Sequence, residues 1–298
     1  KEKPLKMMCL GFSSGLPILL VFSTLSVWLV KAGVNRSTVT LFSWAGFAYA
    51  FKYLWSPLID NYKLPFLKQF GHRKSWLFLS QLLIIFALIL TAFTDPQHNL
   101  FFTALFISLL AFFSATQDIL IDAFRIESAP QSQQGPLSSM YIAGYRLAML
   151  TAGAGSLWLA AFFGNETYNQ DVWKKVYLIM SLFMLAGIFT TIYSKEPRIK
   201  KKFNKDNHFK FFLTILFAVV SFIFLYSIID NPYGKNDILL SFIFSIARLV
   251  GCFIFAFFII YLLIIFNFVS KEKISISYLS PITNFLKRYG KFAFFVLL

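Results

Sequence analysis

The sequence has few charged residues and few of the side chains that build disulfides, metal sites or catalytic centres. Asp, Glu, Lys and Arg make up 14% of its 298 residues, against about a quarter in a typical soluble domain. Its two cysteines, Cys9 and Cys252, lie inside apolar runs, which gives neither a disulfide framework nor a zinc-ligand spacing. The three histidines lie far apart in loops. We therefore expect no metal, no cofactor and no enzyme activity.

The chain is instead rich in long apolar segments. Hydrophobic residues make up 58% of the sequence and aromatic residues 19%. A helix needs about 20 apolar residues to cross the hydrocarbon core of a bilayer. The segments that meet this length lie at 7–30, 37–59, 76–94, 100–125, 138–163, 174–194, 209–229 and 238–268. The sequence therefore predicts an all-α protein that crosses the membrane several times.

The distribution of basic residues predicts the orientation. A net charge of +15 could indicate nucleic-acid binding, but Lys and Arg cluster in short loops between the apolar runs. With the N-terminus inside, 20 of the 28 Lys and Arg residues fall in cytoplasmic stretches and 5 in outer loops. This ratio predicts a cytoplasmic N-terminus, with the lipid bilayer as a partner and no nucleic acid.

Charged linkers divide the chain. Lys200 to Lys202 lie in a basic run that predicts a cytoplasmic linker, and a second linker carries apolar residues at helical spacing, at Ile282, Phe285, Leu286 and Tyr289. That spacing predicts an amphipathic helix on the inner surface. A further apolar run then begins, so we expect a truncated chain whose second half is missing. The predicted parts are a six-helix half at 1–194, the basic linker at 195–208, two extra transmembrane helices at 209–269, the amphipathic linker at 270–291 and the start of the second half at 292–298.

Several ionisable residues fall inside predicted spans, where each costs about 3 kcal/mol at the bilayer centre if it is unpaired. Three of them share one face of the fourth span, because they stand at i, i+4 and i+7. One interpretation is a lattice of ion pairs that closes the inner side of the bundle, and the other is a relay for protons and substrate; both stay open. The residues of the second, fourth and fifth spans are Lys52, Asp60, Asp118, Asp122, Arg125 and Arg146.

Asp118 is the better candidate for a proton carrier. A symporter needs a carboxylate that is neutral in one state and charged in another, and burial favours the neutral form while a nearby cation favours the charged one. Asp118 lies deeper in its span than Asp122, and Arg125 would hold Asp122 ionised. Arg248, in the eighth span, has no acidic partner that the sequence makes evident.

Glycines mark the first and fifth predicted spans. Gly11 and Gly15 form a G-x-x-x-G pair that is followed at once by Pro17, and Gly144 lies in the fifth span. Close packing of helices is the favoured interpretation, and discontinuous helices that bind a ligand are the alternative.

Four stretches resemble one family. The run Phe113–Arg125, Phe-Ser-Ala-Thr-Gln-Asp-Ile-Leu-Ile-Asp-Ala-Phe-Arg, resembles the fourth-helix signature of AmpG-type muropeptide permeases, which belong to the major facilitator superfamily. Leu10–Pro17 is similar to the first helix of that family. Phe51–Asp60, followed by Gly71–Trp76, resembles its second helix and the basic loop after it, and Tyr141–Arg146 resembles the start of its fifth.

The resemblance covers about residues 5–195 and implies both a fold and a function. The implied fold is the N-terminal six-helix bundle of the superfamily, with two extra helices inserted before the second half. The implied function is proton-coupled import of anhydro-muropeptides, anionic sugar–peptide fragments of the cell wall, across the cell inner membrane. The resemblance also implies roles for motif residues: Lys52, Gln117, Asp118, Asp122, Arg125 and Arg146 in proton coupling and substrate contact, and Asp60, Arg73 and Lys74 in an inner-loop motif that latches the two halves.

Other functions stay open at this point. The Gln-Asp-x-x-x-Asp element is also similar to one in acetyl-CoA transporters and in folate–biopterin carriers, so the substrate could be another organic anion. A transport-silent half that only assembles is a further alternative, because alternating access needs two halves that rock about a central site. The partners implied are a small anionic substrate, protons and the missing C-terminal half of the same protein.

Overall fold

The structure, a computed structural model, describes residues 2–64, 67–164, 167–197, 208–233, 237–275 and 280–290. Within these ranges the regular elements are all helical, as predicted. The chain forms two compact units, Lys1–Ser56 with Lys63–Lys201, and Pro57–Tyr62 with Lys202–Leu298. The predicted linkers at 195–208 and 270–291 are only partly described, and the run at 292–298 lies outside the described residues.

The helices are numbered along the described chain. They are α1 (Glu2–Lys31), α2 (Arg36–Leu41), α3 (Gly46–Ala50), α4 (Ser56–Asn61), α5 (His72–Ala92), α6 (Leu100–Ser128), α7 (Gln131–Phe163), α8 (Gln170–Tyr193), α9 (His208–Ile228), α10 (Ile238–Ile265), α11 (Lys271–Ile274) and α12 (Ser280–Tyr289). In the described chain, six of these are long and apolar enough to cross a membrane, namely α1, α5, α6, α7, α8 and α10. The apolar part of α9, Leu213–Ile228, is shorter than these six helices. Its 16 residues extend about 24 Å, which is less than the hydrocarbon core of about 30 Å.

The predicted span at 37–59 is not a single helix, so that prediction was wrong. The chain there runs through α2, α3 and α4, joined by 3-10 turns at Phe42–Ala45 and Lys52–Leu54. Gly46 weakens a helix, and Pro57 cannot donate a backbone hydrogen bond and disfavours helical dihedrals at the residue before it. We call residues 36–61 the broken segment.

Glycines bring α1 and α7 together. A methyl group built on Gly11 would overlap the carbonyl oxygen of Tyr141, and one on Gly15 would lie 2.5 Å from the carbonyl oxygen of Tyr145. Only a hydrogen atom fits at either position, so the two backbones are in direct contact. The close-packing interpretation of the G-x-x-x-G pair is therefore confirmed.

Both of these helices depart from regular α-helical geometry on the C-terminal side of that contact. α1 bends at Phe22, where the dihedrals are φ −109° and ψ −85°. α7 contains a π-helical turn, Thr151–Gly155, which alters the i→i−4 bonding of the backbone. The buried Thr24 of α1 donates from its hydroxyl to the carbonyl oxygen of Ala152 at 2.7 Å. One side chain of α1 thus provides a bond to the irregular turn of α7.

An aromatic cluster closes the end of the first unit that holds the α5–α6 and α7–α8 loops. The buried Trp28 stacks on Trp173 with ring centroids 5.8 Å apart. Its indole N–H donates to the Tyr168 hydroxyl at 3.3 Å, and that hydroxyl donates to Asp95 Oδ1 at 2.8 Å. Burial raises the pKa of Tyr168 above its ordinary value. The cluster joins α1, α8 and both loops.

The second unit contains a hairpin of α9 and α10. The Arg248 guanidinium lies 3.8 Å from the centroid of the Tyr226 ring and donates to the Tyr226 backbone carbonyl. Near the turn, the Asn231 amide donates to the Ser241 hydroxyl at 2.9 Å and to that of Ser245 at 3.2 Å. Arg248 therefore finds its partners inside the hairpin, in a carbonyl and a ring. α12 covers the stretch whose spacing predicts an amphipathic helix, and its place on a membrane surface stays a prediction.

Candidate functional site

The Asp118 carboxylate lies where three elements of the first unit meet. Asp118 belongs to α6 and is 8% exposed. Its Oδ1 accepts a hydrogen bond from the Ser14 hydroxyl of α1, and its Oδ2 lies 3.9 Å from Lys52 Nζ in the broken segment. A buried carboxylate is costly unless it is bonded and paired, and these two contacts supply both.

The contact between α1 and α7 places Ser14 against a second hydroxyl. Ser14 stands beside Gly15, and its oxygen lies 2.9 Å from the Tyr141 hydroxyl of α7. Because Gly11 and Gly15 let the backbones touch, a side chain as short as serine reaches across the crossing. The Ser14 oxygen thus has Asp118 on one side and Tyr141 on the other.

Lys52 lies in an irregular part of the backbone, which the nearby Trp55 holds against α6. Its 3-10 turn, Lys52–Leu54, is followed by Trp55, whose indole donates to the Thr116 hydroxyl at 3.1 Å and whose ring lies 4.8 Å from that of Phe112. Both contacts are with α6, two and six residues before Asp118. The Lys52 side chain is 36% exposed, and its distance to Asp118 is at the outer limit of an ion pair.

A second pair lies one turn further along α6. Arg125 pairs with Asp122 at 3.3 Å, as their spacing predicts, and donates to the Ser138 hydroxyl of α7. The guanidinium is 6.0 Å from the centroid of the Tyr141 ring. The Asp122 side chain is 44% exposed. Tyr141 therefore stands between a buried carboxylate, which its hydroxyl reaches through Ser14, and a more exposed ion pair.

Gln117 and Arg146 stand in contrasting environments. Gln117 is fully buried, and within the described part of the chain neither atom of its amide group has a hydrogen-bond partner. Arg146 is exposed on α7 and forms no ion pair with any residue that the structure describes. The structure thus brings Lys52 to Asp118, and it does not bring Arg146 into that cluster.

The start of α5 carries a separate network. The buried Arg73 guanidinium forms two bonds with the Glu127 carboxylate at the end of α6, at 2.7 and 2.9 Å. The backbone N–H groups of Arg73 and Lys74 donate to the Glu196 carboxylate at 2.8 and 3.0 Å, and Lys74 Nζ donates to the Ile192 carbonyl at 3.0 Å. A carboxylate thus accepts hydrogen bonds from N–H groups at the beginning of the helix, which have no partner within the helix itself. The network ties α5 to the ends of α6 and α8.

Comparison with known proteins identifies the family. The family model described as Major Facilitator Superfamily matches residues 7–283. The chain belongs to the major facilitator superfamily. It is 37% identical to AmpG 4 of Rickettsia felis over 72% of this chain and 54% of that protein, and 36% identical to the anhydromuropeptide permease of Escherichia coli strain K12 over 64% of this chain and 37% of that protein. A third relative, AmpG 3 of Rickettsia prowazekii, is 33% identical over 74% of this chain and 55% of its own length. The chain spans about half the length, or less, of these curated relatives.

The sequence alone does not predict several residues of the two networks, one around Asp118 and one around Arg73. Ser14 and Tyr141 lie inside the motifs Leu10–Pro17 and Tyr141–Arg146, and their only signal is a hydroxyl within an apolar run. Glu127 and Glu196 are carboxylates at or just after helix ends. The nearby basic loop is the sequence feature that could indicate their pairing with Arg73. Asp60 lies on α4, which groups with the second unit, so its role in a latch stays a prediction. Among the described residues, no group of His, Cys, Asp and Glu could hold a metal ion.

Proposed function

We propose that this chain provides the proton-coupling bundle of a secondary transporter that imports anhydro-muropeptides across the cell inner membrane. The observation that carries the proposal is the buried Asp118 carboxylate, bonded by Ser14 and 3.9 Å from Lys52. Ionisable groups within membrane spans are rare and mark pathways for ions and protons. Superfamily membership supports transport, and the name of the Escherichia coli relative supports the class of substrate. This is a transport function, and it needs no enzyme chemistry.

The Asp118–Lys52 pair couples a proton to an anion. While Asp118 is charged, its Oδ2 forms an ion pair with the Lys52 ammonium at 3.9 Å. When Asp118 takes a proton, the pair loses its attraction and the partly exposed Lys52 is left without that counterion. An anionic substrate can then replace the carboxylate beside Lys52. Proton and substrate binding therefore favour each other, which is the thermodynamic requirement for symport.

The substrate proposed for this site is an anionic sugar–peptide. Lys52 is 36% exposed, so a ligand can reach it, and the exposed Arg146 on α7 offers a second cation. The two cations suit the carboxylates of a peptide.

The remaining parts of the proposal concern topology. We place the N-terminus in the cytoplasm, on the strength of the 20 to 5 bias of basic residues. Alternating access needs a second bundle opposite the first, and we propose that the rest of the same protein supplies it.

Uptake by the complete gene product tests the proposal. Right-side-out vesicles that contain it should accumulate labelled anhydro-muropeptide when the outside is acidified, and a proton uncoupler should abolish the accumulation. Asp118→Asn should lose accumulation, because an amide cannot exchange a proton, while Asp171→Asn, an exposed carboxylate at the start of α8, should keep it. Absence of uptake would overturn the proposed class of substrate. A parallel experiment with labelled acetyl-CoA would detect transport of another organic anion. Uptake that ignores the uncoupler would overturn proton coupling.

A further inference from the structure

Asp118 has little direct access to water. The residue is 8% exposed, and each of its two carboxylate oxygens already faces a protein group, Ser14 at Oδ1 and Lys52 near Oδ2. A group that carries a proton through a cycle must take it from water and return it to water. The buried position therefore raises the question of the path that the proton follows.

The Ser14 hydroxyl is placed to pass a proton on. A hydroxyl group can donate one hydrogen bond and accept others at the same time. While Asp118 is charged, Ser14 donates to Oδ1, so at its 2.9 Å contact with Tyr141 the serine oxygen is the acceptor and the Tyr141 hydroxyl the donor. When Asp118 is protonated, the carboxyl group can donate to Ser14 and both bonds reverse. The three groups form one continuous hydrogen-bonded line.

Tyr141 lies at the end of this line that is nearer to water. Its side chain is partly exposed, whereas Ser14 and Asp118 are buried. The neighbours of its ring are also more open, with Arg125 at 6.0 Å and the Asp122 side chain 44% exposed. The Tyr141 side chain is therefore more open to water than the Asp118 side chain.

We propose that Tyr141 and Ser14 form a two-hydroxyl relay that carries protons between water and Asp118. The inference deepens the proposed function, since it rests on proton coupling through Asp118. Loading Asp118 moves three protons by one place each. Hydronium gives its proton to the Tyr141 oxygen, Tyr141 gives its own proton to the Ser14 oxygen, and Ser14 gives its own to Oδ1. Each hydroxyl ends with one proton, Asp118 has gained one, and unloading runs the same steps backwards.

The other groups around Asp118 do not offer the same line. Lys52 faces the opposite carboxylate oxygen, Oδ2, and its 3.9 Å distance from that oxygen is too long for a hydrogen bond. Asp122 stands on the same helix, paired with Arg125. Tyr49 of α3 and Tyr145 of α7 are close enough to interact with the Asp118 charge, but neither donates to the Asp118 carboxylate or to Ser14. Tyr145, one turn from Tyr141 on the same helix, is thus a matched control.

The test separates proton movement from substrate binding. The complete protein is reconstituted in liposomes, and two rates are measured with labelled anhydro-muropeptide: accumulation driven by a pH gradient, and counterflow exchange at equal pH, in which the carrier can keep its proton. Removing a group that transfers protons typically costs a hundredfold or more, so we expect Tyr141→Phe to slow gradient-driven accumulation at least about tenfold. Counterflow should stay within about twofold of wild type. Tyr145→Phe should leave both rates within about twofold.

A second variant and an isotope measurement complete the test. Ser14→Ala interrupts the relay at its other end and should show the same separation of the two rates. Gradient-driven accumulation by the wild type should be slower in deuterium oxide, and both variants should lose this slowing. The relay is overturned if Tyr141→Phe and Ser14→Ala accumulate substrate at the wild-type rate, or if they lose counterflow in the same proportion. A wild-type protein that shows counterflow and no gradient-driven accumulation would overturn the proposed proton coupling instead.

Discussion

Gly144 of α7 packs directly against the backbone of Met8 in α1: a methyl group at position 144 would overlap the Met8 carbonyl oxygen. Gly11 meets α7 in the same way, at Tyr141. The crossing therefore has room for a hydrogen atom and nothing larger on both helices. This contact fixes the separation of α1 and α7, and with it the 2.9 Å distance between the hydroxyls of Ser14 and Tyr141.

Gly144→Ala should destabilise the protein. Overpacking a tight site costs about 1–3 kcal/mol, and more when the obstacle is backbone that cannot turn away. We expect a lower melting temperature in detergent, together with a loss of gradient-driven uptake. Gly135→Ala is the matched control on the same helix, because no atom lies within 4 Å of the added methyl group. Equal melting temperatures for the two variants would contradict the close crossing.

Arg73→Ala should also destabilise the protein. It removes both bonds to Glu127, at 2.7 and 2.9 Å, and leaves a carboxylate with 22% of its side chain exposed. Breaking a buried pair typically costs about 3–5 kcal/mol, and the partial exposure of Glu127 predicts the lower end of that range. The measurement is the free energy of unfolding in a detergent titration.

Arg73→Lys should fall between wild type and Arg73→Ala, since an ammonium keeps the charge but cannot bond to both carboxylate oxygens as a guanidinium fork does. Glu2→Gln serves as the control, because the Lys6–Glu2 pair lies on the surface and screening leaves it little effect. The interpretation fails if Arg73→Lys is as stable as wild type.

Thr24→Val should lower stability by a smaller amount. The variant keeps the shape of the side chain and removes the donor to the Ala152 carbonyl, 2.7 Å away in the π-helical turn. Hydrocarbon offers no replacement donor, and side-chain hydrogen bonds in membrane proteins contribute about 0.6 kcal/mol on average and up to about 1.7. Thr24→Ser keeps the hydroxyl and should retain most of the stability. Equal losses for Val and Ser would show that packing, and not the bond, is responsible.

The stability provided by Tyr168 should depend on pH. Burial is the main cause that raises the pKa of its hydroxyl above the ordinary value of 10.0; the Trp28 indole opposes the rise and the Asp95 carboxylate adds to it. Because the folded protein holds the proton more tightly than the unfolded chain, this stability is complete below about pH 10 and is lost as pH rises toward the folded pKa.

Thermal unfolding of wild type and Tyr168→Phe across neutral to alkaline pH measures this effect. Near pH 7 the variant should melt at a lower temperature, since it lacks the bonds to Trp28 and Asp95. Above about pH 10 the two melting temperatures should converge, because phenylalanine does not ionise. A constant difference over the whole range would contradict the prediction.

The sequence predicts those features that depend on polarity and length. Asp118 and Lys52 are charges within apolar runs, so their importance can be seen without a structure. The hydroxyls of Ser14 and Tyr141 cannot be distinguished in this way, because 13 tyrosines occur in the chain and only the crossing of α1 and α7 selects one. Arg248 escaped prediction because its partners, a carbonyl and a ring, carry no charge.

Hydropathy also fails to predict the broken segment, because it counts apolar side chains and takes no account of how the backbone is bonded. Residues 37–59 are apolar enough for a span, yet Gly46 and Pro57 prevent one continuous helix. The prediction for the first unit therefore agrees with the structure in the positions of its long helices and is wrong in the regularity of its second segment.

The broken segment determines which side of the first unit acyl chains can cover. A regular helix satisfies its own N–H and C=O groups, whereas short helices joined by 3-10 turns leave some of these groups to other partners. Irregular backbone at membrane depth is stable only against protein or against a water-filled cavity. We therefore expect the side that carries Lys52 to face protein or water and to be closed to lipid. A charged ligand could then reach that lysine without crossing acyl chains.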